Sequence, residues 1–517
     1  MKTLPITETI NGNERSAFCA VAIAAAAFCA SADTFTYVDH WPSGTGDETA
    51  TEVVVPDNTT ATISTAEDVT RVARLTAISF GGSAAKVDYT ASSALALAAD
   101  VSGSGKFSAI SSGNLTLSGD NSGLESPGCF FFSNTAVTVA SRYGLGSTGT
   151  ATLHYWFGGK VDPFHFTGEG LTNDAPIRVH QGTAAENFVL GPDNANETLV
   201  IANDLIFTGG NGTKYVYFRN KVRFTGGKFG SETSGTTHTY SSVWNNGTAE
   251  VWFEQNVKVN FYYWFSYKNL TYHFAWDGVL GNYYTIALGY NTSLPYAEFE
   301  KDGVLDMLKR GVSGNGTFNL KGHDQSVNYI TKAYGSPTIT SDTPATFSVV
   351  KWSSETANYL SSSTKFTGAV NFTYAPTTAS GTYTLTGSAA LSTSTGKLTV
   401  GGAGQLVFAN GAGWCGTNVL VKAGAKLSVG AASMPVAFGS RAVFGHQSWT
   451  KLEIESGGTL ELAASAEPAV VRTLVYDGQI KPAGTYTKTS GVGITGDGVL
   501  RVRSSTDGEP GAMFIFY

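Results

Sequence analysis

The sequence predicts an all-β chain of short stacked strands, and three observations carry that expectation. Of its 517 residues 61 are glycine and only 14% are charged, whereas soluble domains carry about 25% charged residues. Solvated helices and coiled coils need Glu, Lys and Arg on their outer faces, so few charges argue against them. The 42% hydrophobic and 12% aromatic content is too apolar for disorder and can fill a large core. Finally, glycine-bounded runs with alternate apolar residues restart after about 22 to 32 residues, the spacing of solenoid coils with two or three strands each. The glycines follow no every-third period, which excludes collagen.

The N-terminus reads as an export signal over residues 1–32. Lys2 and Arg15 precede the apolar run 17–30 (AFCAVAIAAAAFCA), and Ala30-Ser31-Ala32 is a small-x-small cleavage site before Asp33. A lasting anchor needs about 20 apolar residues, so the run is too short; the alternative is a buried helix. No later run is long enough, so no membrane span is expected in the mature chain, which would be secreted or displayed at the cell surface. Cys19 and Cys29 fall inside the signal. Cys129 and Cys415 remain, either as one long-range bridge or as two separate buried thiols. A net charge of −7 without a basic run excludes nucleic acid as a partner.

Residues 33–470 are expected to form the repeats. In segment 101–147 two strands meet at Gly113-Asn114, and Leu115-Thr116-Leu117 runs into the polar turn Ser118–Gly123. Gly103, Gly105, Gly113, Leu115, Thr116, Leu117, Ser118, Gly119, Asn121, Gly123, Leu145 and Gly146 fit one pattern, with Ser122 where that pattern has an aromatic. On these residues the segment resembles the autotransporter-associated β-strand repeat of bacterial passenger domains. Segments 299–305 and 314–320 echo it. The resemblance implies a right-handed parallel β-helix whose coils stack at about 4.8 Å. At roughly 22 residues per coil it implies about 20 coils and a rod on the order of 100 Å. No barrel-type run of alternating strands follows, so the resemblance covers the passenger-like repeats alone.

Residues 239–296 are rich in aromatics, among them Trp252, Tyr263, Trp264, Tyr267 and Trp276. The run Tyr262-Tyr263-Trp264-Phe265 cannot point one way in a strand, so about half of it faces outward or lines a second layer. Exposed Trp and Tyr faces stack on sugar rings, which makes Trp252, Tyr263, Trp264, Tyr267 and Trp276 the candidate ligand-binding residues. The competing reading is a wide aromatic core. Residues 304–310 are the one stretch after the signal expected to turn as helix. Further repeats follow at 396–408, 420–429 and 452–462. Segment 471–502 looks like the closing unit that a solenoid needs over its last coil, and 503–517 is a tail.

No HExxH, CxxC, GxSxG, Walker or EF-hand pattern occurs, so no catalytic residue, metal ligand or cofactor is expected. Asp162 with His165, and His323 with Asp324, are the nearest histidine–acid pairs and read as surface turns. The acids lie beside Gly, Asn or Thr in apparent solvated turns, although stacked coils can bring distant carboxylates together. Two functions follow. One is a secreted or surface-displayed bacterial β-solenoid with a structural, adhesive or interaction role, its partners surface glycans or host or cell-envelope components. The alternative is a polysaccharide-binding or polysaccharide-degrading β-helix that uses the aromatic region.

Overall fold

A computed structural model describes residues 34–504 apart from 47, 126–128, 148–149, 156–163, 182–186, 209–213, 232–237, 244–246, 261–262, 267–268, 277, 280–284, 289–295, 307–310, 331–334, 351–362, 378–381, 387–390, 393 and 440–449. The export signal of residues 1–32 lies outside the described residues, as does all of the tail but Arg503 and Ser504. The chain is 51% strand and 5% helix, wound as a β-solenoid of about 13 turns.

Strands form where apolar residues alternate, because every second side chain then enters the core. In Ala249–Phe253 the residues Ala249, Val251 and Phe253 point inward, while Glu250 and Trp252 point out. In the middle of the chain each coil supplies three strands, such as Ala249–Phe253, Lys258–Asn260 and Tyr263–Ser266, and each pairs in parallel with its counterpart one coil on. The longest ladder starts at Thr172–Asn173 and passes through parallel strands to Thr473–Tyr476. Its twelve steps at about 4.8 Å make it on the order of 60 Å long.

The spacing varies as the restarts of about 22 to 32 residues indicate, and about 13 turns replace the roughly 20 coils that 22 residues per coil implied. Along this ladder Trp252 sits beside His273, 21 positions on, but Leu420 sits beside Glu453, 33 positions on. Loops between strands absorb the difference at small entropic penalty, so the strands repeat while the coil length drifts.

The core is a stack of aromatic and branched side chains running along the solenoid. Phe224, Phe253, Phe274 and Phe299 occupy equivalent positions in successive coils, with Phe224 and Phe253 stacked at 4.9 Å. The 101–147 repeat makes up parts of two coils, with Leu115 and Leu117 beneath Val137 and Val139. Gly103 is required there: its φ is +88°, and a Cβ would lie 2.5 Å from the Phe80 carbonyl oxygen. Asn121 joins three coils, its Oδ1 accepting from Val101 N at 2.7 Å and its Nδ2 donating to Gly144 O at 2.7 Å.

Helix content differs from expectation. The described part of 304–310 is a turn closed by Asp306 N donating to Gly303 O at 3.2 Å. Among the described residues the α-helix lies instead at Ala66–Ala73. Thr65 and Asp68 form a reciprocal capping box at its start, and Val69 and Val72 are buried. Two buried apolar residues make too narrow a stripe to stand out in a sequence rich in Val, Thr and Ala.

This helix belongs to a lid over the N-terminal end. The outer edge of the strand Thr60–Ile63 is met by side chains: Thr62 N donates to Tyr37 Oη at 3.2 Å, and Trp41 Nε1 donates to Thr62 O at 2.8 Å. Arg74 fastens the lid by donating to the carbonyls of Pro42 at 2.6 Å and Ala50 at 2.9 Å. At the other end Thr473–Tyr476 folds back on Gln479–Lys481 as an antiparallel hairpin. Its turn residues Asp477 and Gly478 have φ of +49° and +72°, as a two-residue hairpin turn demands. Gly484–Tyr486 runs antiparallel to Leu500–Val502. Among the described residues no helix is long and apolar enough to cross a membrane.

Candidate functional site

The outward column of the long ladder carries a polar cluster that runs through the aromatic region. Parallel in-register pairing sets Arg223, Trp252, His273, Glu298 and Asn319 side by side, one per coil. All lie on the face opposite the Phe224–Phe299 stack, because the strands alternate inward and outward positions.

Trp252 is gripped by its neighbours along the ladder. The His273 ring stacks on it at 4.8 Å and 6°. The Arg223 guanidinium lies 5.4 Å from its centroid on the preceding coil, and Arg223 also pairs with Glu254 at 3.3 Å. Arg223 and His273 come from strands on opposite sides of Trp252, so both of its ring faces are covered.

Beyond His273 the column becomes ionic. His273 Nδ1 lies 3.3 Å from Glu298 and 3.0 Å from Glu300. Lys321 Nζ reaches back to the same two carboxylates at 2.9 and 2.8 Å. Local backbone geometry aims that lysine. Lys321 has φ of +51°, its N–H donates to Asn319 Oδ1 at 3.0 Å, and Asn319 Nδ2 donates to Tyr296 Oη at 2.5 Å. Partial burial pushes the Glu300 carboxyl up, but the bonds from Lys321 and His273 outweigh it and hold the group below its ordinary range. Partial burial likewise pulls the Lys321 ammonium down, and its bonds to Glu300 and Glu298 outweigh that and hold it above its ordinary value. A glycosidase acid needs a raised carboxyl, and Glu300 is shifted the other way.

The aromatic candidates divide by orientation. Trp264 and Trp276 are fully buried and present no face to a ligand in solvent, which corrects their assignment to a binding surface. Trp264 Nε1 donates to Ser241 Oγ at 2.7 Å, and Tyr272 Oη lies 2.6 Å from the same hydroxyl and donates to Ser266 Oγ at 3.1 Å. Complete burial drives the Tyr272 hydroxyl pKa upward. Trp276 Nε1 donates to Val304 O at 3.3 Å. Trp264 and Tyr272 take inward strand positions and Trp276 is buried just past the strand Leu270–Phe274, as the wide-core reading has it. Trp252 is outward but closed on both faces. Tyr263 begins the strand Tyr263–Ser266, but its side chain lies outside the described residues, and so does Tyr267.

Described histidines meet acids of neighbouring coils. His165 meets Asp193 at 3.1 Å, while Asp162 lies outside the described residues. His323 meets Asp302 at 3.2 Å rather than its neighbour Asp324, whose carboxylate accepts from Thr346 N. Cys129 and Cys415 are half-buried and not bridged. Burial pushes the Cys129 thiol up, against the nearby Lys106.

Local spacing gave no metal-ligand set, yet His273, Glu298 and Glu300 place one ligand atom each within 4.8 Å of one another. The only trace in the sequence is an acid-x-acid pair about one coil after a histidine. No protein-family model, no curated protein and no solved structure matches the chain.

Proposed function

We propose that this chain is an exported bacterial β-solenoid that serves as a structural or adhesive scaffold, its repeats of the autotransporter-associated, passenger-like kind. One observation carries the reading. Outward groups of the long ladder are bonded to each other from coil to coil, from Arg223 through Trp252 and His273 to Glu298 and Lys321. The carboxylates of this face are engaged in ion pairs and Glu300 is held below its ordinary range, which suits a structural contact face better than a general acid. The role of Gly103 and Asn121 as a coil turn and a coil bracket supports the passenger-like assignment, because both belong to the pattern that carries the resemblance. Envelope components or surface glycans are the partners this reading names.

The polysaccharide-degrading alternative has lost Trp264 and Trp276 to the core and the open faces of Trp252 to its neighbours. Purified protein applied to a glycan array and to immobilised cell-envelope preparations, with reducing-sugar release measured in parallel, decides between the two. Retention on envelope or glycan without sugar release is the expected result. Sustained release of reducing ends would overturn it. Fractionation of the producing cell should place the chain outside the cytoplasm.

A further inference from the structure

We propose that His273, Glu298 and Glu300 form a site for a divalent transition-metal ion of the Zn2+ class, which enters by displacing the Lys321 ammonium. The inference goes beyond the scaffold reading and does not depend on it.

The geometry already suits such an ion. Bonds of about 2.0–2.1 Å to a tetrahedral Zn2+ place ligand atoms roughly 3.3–3.4 Å apart. His273 Nδ1 lies 3.3 Å from Glu298 Oε2 and 3.0 Å from Glu300 Oε1. All three ligand atoms lie within 4.8 Å of one another, so closing round a metal requires only side-chain adjustment. The imidazole is held in place by its stack on Trp252, which limits the ordering entropy lost on binding. One imidazole with two carboxylates suits Zn2+ and its neighbours, whereas Ca2+ and Mg2+ take all-oxygen shells. A water would complete the coordination.

Lys321 marks where positive charge belongs. Its Nζ lies within 2.9 Å of both carboxylates, and its side chain is 37% exposed. A long, flexible lysine at the surface can swing into water and leave both carboxylates to the ion. A dication then takes up the two negative charges that the ammonium met with one. Lysine is thus a built-in competitor that sets the metal affinity.

Titration of the intact protein with Zn2+ alone tests this, read by calorimetry and by the fluorescence of Trp252 against His273. One ion should bind per chain. Lys321→Met should tighten binding at least about tenfold, because the competing cation is gone, and His273→Ala should weaken it at least about tenfold. Glu300→Gln, at a more exposed position, should weaken it likewise and serves should His273→Ala fail to fold; circular dichroism establishes which variants are folded. Zn2+ binding that is absent, or unchanged in folded His273→Ala and Glu300→Gln proteins, overturns the site. Affinity that does not rise in Lys321→Met overturns the exchange. Preference for Ca2+ over Zn2+ overturns the assigned class.

Discussion

Single polar side chains in this solenoid act as brackets between coils. Asn121 serves Val101 N and Gly144 O, and Gln325 does the same for Leu305 N at 3.0 Å and Lys301 O at 2.7 Å. Turn aspartates contribute too: Asp100 accepts from Asp120 N at 2.7 Å, Asp204 from Lys228 N at 2.8 Å and Asp302 from Asp324 N at 2.8 Å. These acids read from sequence as solvated turns, but they satisfy backbone donors left over where the ladder turns a corner. Asn121 is the strongest case because it is fully buried. Asn121→Ala strands one buried donor and one buried acceptor. Each such group costs about 1–3 kcal/mol, so a loss of roughly 2–6 kcal/mol is expected in urea unfolding. A loss below about 0.5 kcal/mol would show that water replaces both bonds.

Strand pairing turns such residues into a network with a definite pH response. Glu300 lies below its ordinary value of 4.5 when folded, so it adds stability that is full above that value and lost as pH falls through the folded value. Lys321 lies above its ordinary 10.5, so its share is full below that value and lost as pH rises through the folded one. Thermal melts should therefore fall on the acid side below about pH 4.5, and Lys321→Met should flatten that part of the fall. An unchanged acid limb in the variant would mean that the bonds to Glu300 do not survive in solution. At this scale the sequence was partly legible. Period-2 runs such as Lys397–Val400 and Lys451–Ile454 are strands, as their alternation indicated. The helix at Ala66–Ala73 was not legible, because its apolar stripe is weak and its Thr65–Asp68 capping box is one short polar pattern among many in a Thr- and Ser-rich chain. The His273–Glu298–Glu300 cluster was not legible, because steps of 21 to 33 residues leave the register of any two strands open until the loops are known.

Across the whole molecule a parallel solenoid has edges only at its ends, and among the described residues one such edge at each end is protected. Tyr37 and Trp41 satisfy the Thr60–Ile63 edge, while the Gln479–Lys481 strand is short, ends at Pro482 and offers little to an added chain. Trp41→Ala opens the first of these edges. It should give a protein that remains folded yet associates as its concentration rises, seen by sedimentation velocity, whereas the parent sediments as one species. A folded variant that stays monodisperse would show that the rest of the lid suffices.

Closed ends change what determines size. A stack that can grow has an extent governed by supply, and it varies from one assembly to the next. Where an end edge is met as Thr60–Ile63 is, a further rung finds backbone groups already taken, so the reach of the rod is set by its own sequence. Anything fixed to one end stands at a constant distance from anything fixed to the other, which makes the fold a gauge as well as a surface.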